Sequence, residues 1–381
     1  MAITGKSPLS LYFHIPFCKK KCPYCHFYVT RDDEIKKDEL LLAFFQEWDL
    51  LNIPTHSEIH SIYLGGGTPS LFGPQRVEKL LDFIFSKSLK RIDPLEVTLE
   101  INPEDVTLEK MIGFKKAGIN RISMGVQALH DPSLISLGRN HNSKKSIEAI
   151  FIMKEAGFDN ISIDLMYDRP HQKLEDWENE LSLLKNLPIT HLSLYNLTIE
   201  EGSAYKKQEK TIRLTLPKEE ESLKLHNKAI EGLKEAGFER YEISAFCKNN
   251  LKSVHNLGYW QGRPFYGFGP SAFSYIDKKR NKNISHLDQY LTQINKGKLP
   301  IDFAEELDAT SSQKEMLAVG LRVADGVDLD QFQNTYGLLT KETNSTILRL
   351  IDEGYLAKSL NQLQLTSYGQ LFYDDVGVAL I

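Results

Sequence analysis

The chain has 381 residues, a length that allows two or three domains with a full enzyme core and excludes a small disulfide-held scaffold. With 41% hydrophobic and 25% charged residues, its composition is that of an ordinary globular protein and excludes disordered or collagen-like chains. The 46 Lys and Arg against 51 Asp and Glu give a net charge of -5 without a basic block, so we expect no nucleic-acid partner.

Six runs with a period of two predict β-strands in the first two thirds of the chain. The stretches between them have the spacing of amphipathic helices, and three of these end in a glycine, namely Gly118, Gly157 and Gly237. This alternation predicts a largely parallel sheet, and six units are fewer than the eight of a closed barrel, so we expect a partial (β/α)6 barrel. The predicted strands are 11–16, 61–64, 96–100, 121–127, 160–166 and 190–197.

One face of each predicted strand is polar. Glu100, Gln127 and Asp164 alternate with apolar neighbours, whereas strands of parallel sheets are usually apolar on both faces. If helices cover the apolar face, the polar residues line the barrel interior, with a polar ligand at the carboxyl ends of the strands. The alternative is an antiparallel sheet whose polar face meets water.

After residue 301 the pattern changes to short helices at 311–323, 328–336 and 341–352, followed by a hairpin at 355–366. This order predicts a winged-helix-like α+β domain. Because the segment is not basic, we expect it to dock onto or cover a substrate rather than bind nucleic acid.

The sequence shows neither the pattern of a membrane-spanning helix nor that of a signal peptide. No stretch of about 18 apolar residues occurs, and residues 1–10 lack the apolar core of a signal peptide. We therefore expect a cytoplasmic protein with no integral membrane segment.

Cys18, Cys22 and Cys25 form a C-x3-C-x2-C motif directly after the first predicted strand. Three closely spaced thiolates can hold three corners of a 4Fe-4S cluster and leave one iron open, whereas a structural zinc ion needs four ligands. A zinc site completed by His14 or His26 is the alternative. The lysines at 19–21 either balance the thiolate charge and lower the thiol pKa values or are simply solvated. Cys247 is predicted to be a buried free thiol.

The cysteine motif resembles the signature of the radical S-adenosylmethionine (SAM) superfamily. This resemblance implies a 4Fe-4S cluster whose open iron is chelated by the amino and carboxylate groups of SAM. It also implies that the reduced cluster cleaves SAM to a 5'-deoxyadenosyl radical, while the protein binds, orients and shields the reactants.

Further motifs resemble the oxygen-independent coproporphyrinogen III oxidase-like family over nearly the whole chain. Residues 65–69 read Gly-Gly-Gly-Thr-Pro, like the segment that meets the methionine amino group, and residues 12–18 match the family's Y-x-H-I-P-F-C entry to the cluster. We therefore expect SAM contacts from matched positions across several strands. The expected residues are Tyr12, Gly66, Gly67, Thr68, Glu100, Gln127, Arg139, Asp164 and Thr198.

Two features resemble the HemW branch of that family, which is implied to consist of heme chaperones. Phe27 stands where the oxidases carry a further cysteine, and residues 255–260 fit the motif HNxxYW. The resemblance implies that His255 ligates heme, with Tyr259 and Trp260 offering flat apolar surface; a core histidine beside packed aromatic residues is the alternative. Phe273 occupies a position that is often histidine in the family, which weakens any proposal of a second ligand there.

We expect a heme chaperone that binds heme, a 4Fe-4S cluster and SAM and passes heme to an acceptor protein. The predicted divisions are 1–240 for the radical SAM barrel, 241–300 for the heme-motif region and 301–381 for the C-terminal domain. The alternatives are a coproporphyrinogen III dehydrogenase, disfavoured by Phe27, and a non-catalytic zinc-binding module. The sequence identifies neither the catalytic residues nor the acceptor and the electron donor.

Overall fold

The structure is a computed structural model that describes residues 7–87 and 89–381. The strands are β1 (Ser7–Ile15), β2 (Phe17–Cys18), β3 (Thr30–Arg31), β4 (Ser57–Gly66), β5 (Lys90–Ile101), β6 (Arg121–Gln127), β7 (Asn160–Tyr167), β8 (His191–Asn196), β9 (Glu239–Glu242), β10 (Ala245–Cys247), β11 (Phe265–Phe268), β12 (Phe273–Ile276), β13 (Lys279–Asn283), β14 (Ile301–Glu306), β15 (Val327–Asp328), β16 (Leu356–Ser359) and β17 (Gln362–Leu365).

Helices connect most of these strands. They are α1 (Glu34–Leu51), α2 (Pro74–Ser86), α3 (Leu108–Ala117), α4 (Asp131–Ser136), α5 (Ser143–Glu155), α6 (Leu174–Leu183), α7 (Ala204–Lys207), α8 (Glu209–Arg213), α9 (Glu219–Glu235), α10 (Val254–Trp260), α11 (Leu287–Asn295), α12 (Ala309–Gly320), α13 (Leu329–Tyr336), α14 (Lys341–Asp352), α15 (Ser367–Leu371) and α16 (Tyr373–Leu380). Over the described ranges, none of them is both long and apolar enough to cross a membrane.

The main body is a sheet of twelve strands among the described residues, in the order β14-β13-β12-β11-β1-β4-β5-β6-β7-β8-β10-β9. The strands from β1 to β8 in this order are parallel to one another, which confirms the six predicted strands and the partial barrel. The alternative of an antiparallel sheet with a polar face in water is wrong for this region.

The two faces of the parallel strands have the predicted chemistry. Apolar residues such as Ile62, Leu99 and Ile122 are fully buried in the core that the helices cover. Polar residues lie side by side on the other face, where the Ser61 hydroxyl on β4 donates to the Ser10 hydroxyl on the neighbouring β1 over 3.0 Å. The polar face is therefore the inner wall of the barrel.

Local sequence signals set the helix ends. The side chain of Thr107 caps the start of α3, and Asn142 caps the start of α5. Gly118, Gly157 and Gly237 all adopt positive φ angles just after helices, as predicted for glycines that end them.

Residues 241–306 extend the large sheet at both edges. β10 pairs antiparallel to β8, and β11 pairs parallel to β1, so that this segment closes around the six parallel strands. β14, which lies in the predicted C-terminal domain, pairs with β13 in the large sheet. The predicted divisions at 240 and 300 stay a prediction.

The C-terminal residues form a second hydrophobic core, which extends from Met316 to Leu380. Helices α12, α13 and α14 and the hairpin β16–β17 agree with the predicted winged-helix-like order. The structure adds β15, which pairs with β17, and the helices α15 and α16, which the sequence pattern did not indicate.

Candidate functional site

A cavity of about 460 Å³ opens at the carboxyl ends of β4 to β8, a size typical of small-molecule sites. Eleven of the thirteen predicted site residues line it, and Tyr12 and His255 do not. The eleven are Cys18, Cys22, Cys25, Gly66, Gly67, Thr68, Glu100, Gln127, Arg139, Asp164 and Thr198.

Cys18 ends the short strand β2, and Cys22 and Cys25 lie on the loop that joins β2 to its parallel partner β3. The Cys25 amide donates to the Cys22 carbonyl over 3.1 Å, which turns the loop back on itself. The Cys18 sulfur lies 3.4 Å from the Thr68 hydroxyl. Burial raises the pKa of Cys18 to about 11, so its thiolate needs a bound cation or a metal to form at neutral pH.

The neighbouring lysines hold this loop in place. Lys19 pairs with the buried carboxylate of Asp105 over 2.5 Å, while Lys20 and Lys21 donate to the carbonyls of Gly138 and Phe27. The Lys21 charge acts to lower the pKa of Cys25, but burial outweighs it and the pKa is raised. The Lys21 charge therefore stabilises the Cys25 thiolate as predicted, but the effect of burial on the thiol pKa is larger.

The segment 65–69 packs its backbone against the strand that leads to the cysteines. The Gly67 amide donates to the Ile15 carbonyl over 2.9 Å, and the Thr68 amide donates to the Phe17 carbonyl over 2.8 Å. A Cβ atom at Gly67 would lie 2.7 Å from the Phe17 oxygen, so only glycine fits there. The segment thus fixes where the first cysteine sits.

Two part-buried carboxylates, Glu100 and Asp164, line the same cavity as the three cysteines. Glu100 accepts from the Tyr63 hydroxyl over 2.8 Å and from the Gly66 amide over 3.0 Å. Burial raises the pKa of Glu100 to about 7 and the pKa of Asp164 to about 6. Each is therefore ready to ionise when a cationic group enters the cavity.

Arg139 links the cysteine loop to the strands. Its Nη1 donates to the Cys22 sulfur over 3.4 Å, and its Nη2 donates to the Asn102 side-chain oxygen over 2.6 Å. Asn102 in turn donates to Thr68 over 3.0 Å. The Arg139 Nε is buried with no hydrogen-bond partner among the described residues, so the guanidinium retains a donor for a carboxylate.

Sequence reasoning missed several residues of this cavity, among them Asn102, Tyr195 and Glu200, and it missed Tyr63, which donates to Glu100 from outside the lining. Asn102 follows the carboxyl end of β5 directly, and that position was the signal that could have found it. Tyr195 and Glu200 lie at or after the end of β8, where the chain has no recognisable motif.

These residues fit a 4Fe-4S cluster with SAM. Thiols, an accessible glycine backbone, carboxylates and an arginine with a spare donor meet in one cavity. Within the described residues, no three His, Cys, Asp or Glu side chains converge on one metal position. A four-iron cluster requires no such convergence, because each cysteine binds a different iron.

His14 lies next to this site with both ring nitrogens engaged. Its Nε2 donates to the Tyr28 carbonyl over 3.2 Å, and its Nδ1 accepts from the Tyr12 hydroxyl over 3.1 Å. Tyr12 stacks on Tyr63 behind the glycine segment instead of lining the cavity. In this arrangement His14 has no free nitrogen for a zinc ion, whereas His26 is exposed at the mouth of the cavity.

His255 is buried at the amino-terminal side of the parallel strands, on α10. Its Nδ1 lies 2.8 Å from the Ser61 hydroxyl and its Nε2 lies 2.8 Å from the Tyr259 hydroxyl. Only 1% of the residue is exposed, and burial lowers its pKa to about 3. Heme ligation by His255 stays a prediction, and in this structure it would require the hydrogen bond at the ligating ring nitrogen to break and the iron to reach a buried side chain.

Comparisons with known proteins agree with this geometry. The pattern of the Radical SAM superfamily matches residues 12–184, and that of the HemN C-terminal domain matches residues 307–372. The chain is 32% identical over 371 residues to "Heme chaperone HemW" of Bacillus subtilis, which covers 96% of this chain and 97% of that protein. It is 33% identical over 418 residues to the mitochondrial "Radical S-adenosyl methionine domain-containing protein 1" of Dictyostelium discoideum, with 97% and 93% covered.

A solved structure has the same fold. Coproporphyrinogen III oxidase (HemN) from Escherichia coli, described as a radical SAM enzyme, superposes with a TM-score of 0.85 at 22% identity. The match covers 100% of this chain and 91% of that chain. The chain therefore belongs to the radical SAM superfamily and, within its coproporphyrinogen III oxidase-like family, to the HemW branch.

Proposed function

We propose that the protein is a heme chaperone that holds a 4Fe-4S cluster on Cys18, Cys22 and Cys25, binds SAM beside it and transfers heme to an acceptor protein. The observation that carries the proposal is that the three cysteines, the glycine segment and two part-buried carboxylates meet in one cavity. The relative from Bacillus subtilis, which bears the name heme chaperone, supports the heme part. The cytoplasmic location stays a prediction.

When bound, the cluster and SAM supply one-electron reductive chemistry at a sulfonium. The residues of the chain orient and shield it. The backbone of the glycine segment allows close approach of a ligand, Glu100 and Asp164 offer acceptors for amino and hydroxyl groups, and Arg139 offers a donor to a carboxylate. The barrel walls exclude water from the sulfonium.

The cluster assignment is tested by anaerobic reconstitution with ferrous iron and sulfide. We expect Cys18→Ala, Cys22→Ala and Cys25→Ala to lose most of the bound iron and sulfide and the SAM-dependent change in the spectrum. Cys247→Ala is the matched control, because Cys247 is a buried free thiol far from the cavity along the chain. Stoichiometric zinc without sulfide in the wild-type protein would support the zinc-binding alternative instead.

The chaperone role is tested on the same reconstituted protein. We expect it to bind added heme and to form no porphyrinogen product from coproporphyrinogen III, SAM and a reductant. Formation of protoporphyrinogen IX would overturn the chaperone proposal in favour of the dehydrogenase. Phe27 occupies the position at which the oxidases, to which the chain is similar, carry a further cysteine. Its side chain is half exposed at the mouth of the cavity.

A further inference from the structure

The position of the histidines narrows the choice of a heme ligand. All eleven histidines lie within the described residues, and four are exposed, namely His26, His56, His171 and His286. An axial ligand needs an imidazole nitrogen that heme iron can reach. Of the eleven, His26 alone lines the cysteine cavity, and its ring has no hydrogen-bond partner among the described residues.

Heme has an apolar macrocycle and two propionate carboxylates, and the surroundings of His26 offer contacts for both. The contact for the macrocycle is aromatic. Phe27 is 54% exposed, and its ring centroid lies 4.5 Å from that of His26. Large exposed aromatic side chains of this kind offer a flat apolar contact for a porphyrin.

Lys20 and Lys21 also line the cavity at its mouth, and we call this border, with His26 and Phe27, the rim. Lys20 and Lys21 are exposed, and their ammonium groups donate to the backbone carbonyls of Gly138 and Phe27 over 3.2 and 2.9 Å. Neither has a carboxylate partner in the part of the chain that the structure describes, whereas Lys19 beside them is neutralised by Asp105. Their charges are available to carboxylates from outside, such as propionates.

We propose that heme binds at this rim, with the His26 imidazole as an iron ligand, Phe27 against the macrocycle, and Lys20 and Lys21 facing the propionates. This inference rests on the proposed heme function and assigns its site. Heme held there lies beside the cysteine loop and restricts the mouth through which SAM enters the cavity.

The test is a titration of anaerobically reconstituted protein with ferric heme, followed through the Soret band. In the reconstituted protein the cysteines are bound to iron and do not compete for heme. We expect His26→Ala to weaken heme binding by about tenfold or more and to lose the spectrum of imidazole-ligated heme, which added imidazole restores. His56→Ala, exposed before β4 at the other end of the strands, and His286→Ala are the matched controls and should bind as wild type.

A second variant tests the propionate contacts without touching the ligand. Lys20→Ser with Lys21→Ser is expected to weaken heme binding several-fold while the position of the Soret band stays unchanged. Equal iron and sulfide contents show that each variant has kept its fold.

Each result decides the matter. Wild-type protein that binds heme while His26→Ala binds it with the same affinity and spectrum overturns the site and leaves the proposed function intact. A loss confined to His286→Ala moves the ligand to that residue and also overturns the assignment. Absence of heme binding by wild-type protein overturns the proposed function and this site together.

Discussion

Glu100 and Asp164 carry carboxylates that the barrel partly shields from water at the wall of the cavity. Burial raises the pKa of Glu100 to about 7 and that of Asp164 to about 6, although both accept hydrogen bonds. A raised carboxyl pKa means that the proton is held below that pH and released above it. Near neutral pH, a cationic ligand and a proton therefore compete for these side chains.

This competition predicts that SAM binds more tightly at higher pH. From about pH 6 to about pH 8, Glu100 and Asp164 ionise, and the ionised forms attract the sulfonium cation of SAM and accept hydrogen bonds from its amino group. We expect affinity to rise over this interval in wild-type protein and to be weaker and flatter in Glu100→Gln. Equilibrium binding at constant ionic strength measures this, and Glu148→Gln, on the exposed face of α5, is the control. A pH-independent wild-type affinity would contradict the role of both carboxylates.

The end of β4 is the element that sets the position of the cysteine loop. Gly67 approaches the backbone of Pro16 and Phe17 so closely that an added Cβ would lie 2.7 to 2.8 Å from their atoms. Backbone atoms cannot swing aside as a side chain can, so the strand before Cys18 would have to shift.

We predict that Gly67→Ala lowers the iron and sulfide content after reconstitution and weakens SAM binding. Gly157→Ala is the matched control: its φ is +89°, and an added Cβ there would meet nothing within 4 Å. It should cost about 1 kcal/mol in the free energy of unfolding from backbone strain and leave the cluster intact. An unchanged iron content in Gly67→Ala would show that the loop tolerates the shift.

Helix α10 closes the amino-terminal end of the barrel. Glu96 accepts from the amides of Val254 and His255, both over 2.9 Å, and so satisfies the start of the helix. The His255 ring then joins the helix to β4 through Ser61. The first residue of the HNxxYW motif thereby ties the helix to the barrel.

We predict that His255→Ala lowers the free energy of unfolding by about 2 to 4 kcal/mol, because the hydroxyls of Ser61 and Tyr259 lose their buried partner. Denaturant unfolding of the variant against wild type measures this, and His56→Ala serves as the exposed control. If folded His255→Ala instead lost heme with unchanged stability, the ligand role predicted from the sequence would stand.

At the scale of the whole molecule, the region 241–262 joins the sheet to the C-terminal core. The Arg322 guanidinium lies 4.3 Å from the ring centroid of Trp260 and donates to Glu242 over 3.4 Å. The Ala324 amide donates to the Tyr241 carbonyl over 2.9 Å. Trp260, the last residue of the HNxxYW motif, therefore lies at a contact between the two cores.

We predict that Arg322→Ala loosens this contact, because Glu242, whose side chain is 5% exposed, would lose its ion pair and keep only the hydrogen bond from the Ser244 amide. The expected result is faster proteolysis near residues 307–308 and a loss of about 3 kcal/mol in the free energy of unfolding. Arg349→Ala is the control, since Arg349 makes only an exposed pair with Glu353 on its own helix. Equal proteolysis of the two variants would show that Arg322 does not hold the cores together.

The sequence by itself determined the six parallel strands, the polar inner face, the helix-ending glycines and the cysteine motif. All of these depend on local spacing: a period of two places alternate residues on opposite faces, and a positive φ favours glycine wherever it occurs. Eleven predicted site residues met in one cavity because strand ends of a parallel sheet share an edge.

Only the tertiary structure decided which side chains a ligand can contact. The network from Cys22 through Arg139 and Asn102 to Thr68 joins four separate segments, and no spacing along the chain encodes it. The sequence marks His255 through its motif and names His26 only as a possible zinc ligand, yet His255 is packed against β4, whereas His26 is exposed. Exposure depends on which distant segment covers a side chain, and that is settled by packing of the whole chain.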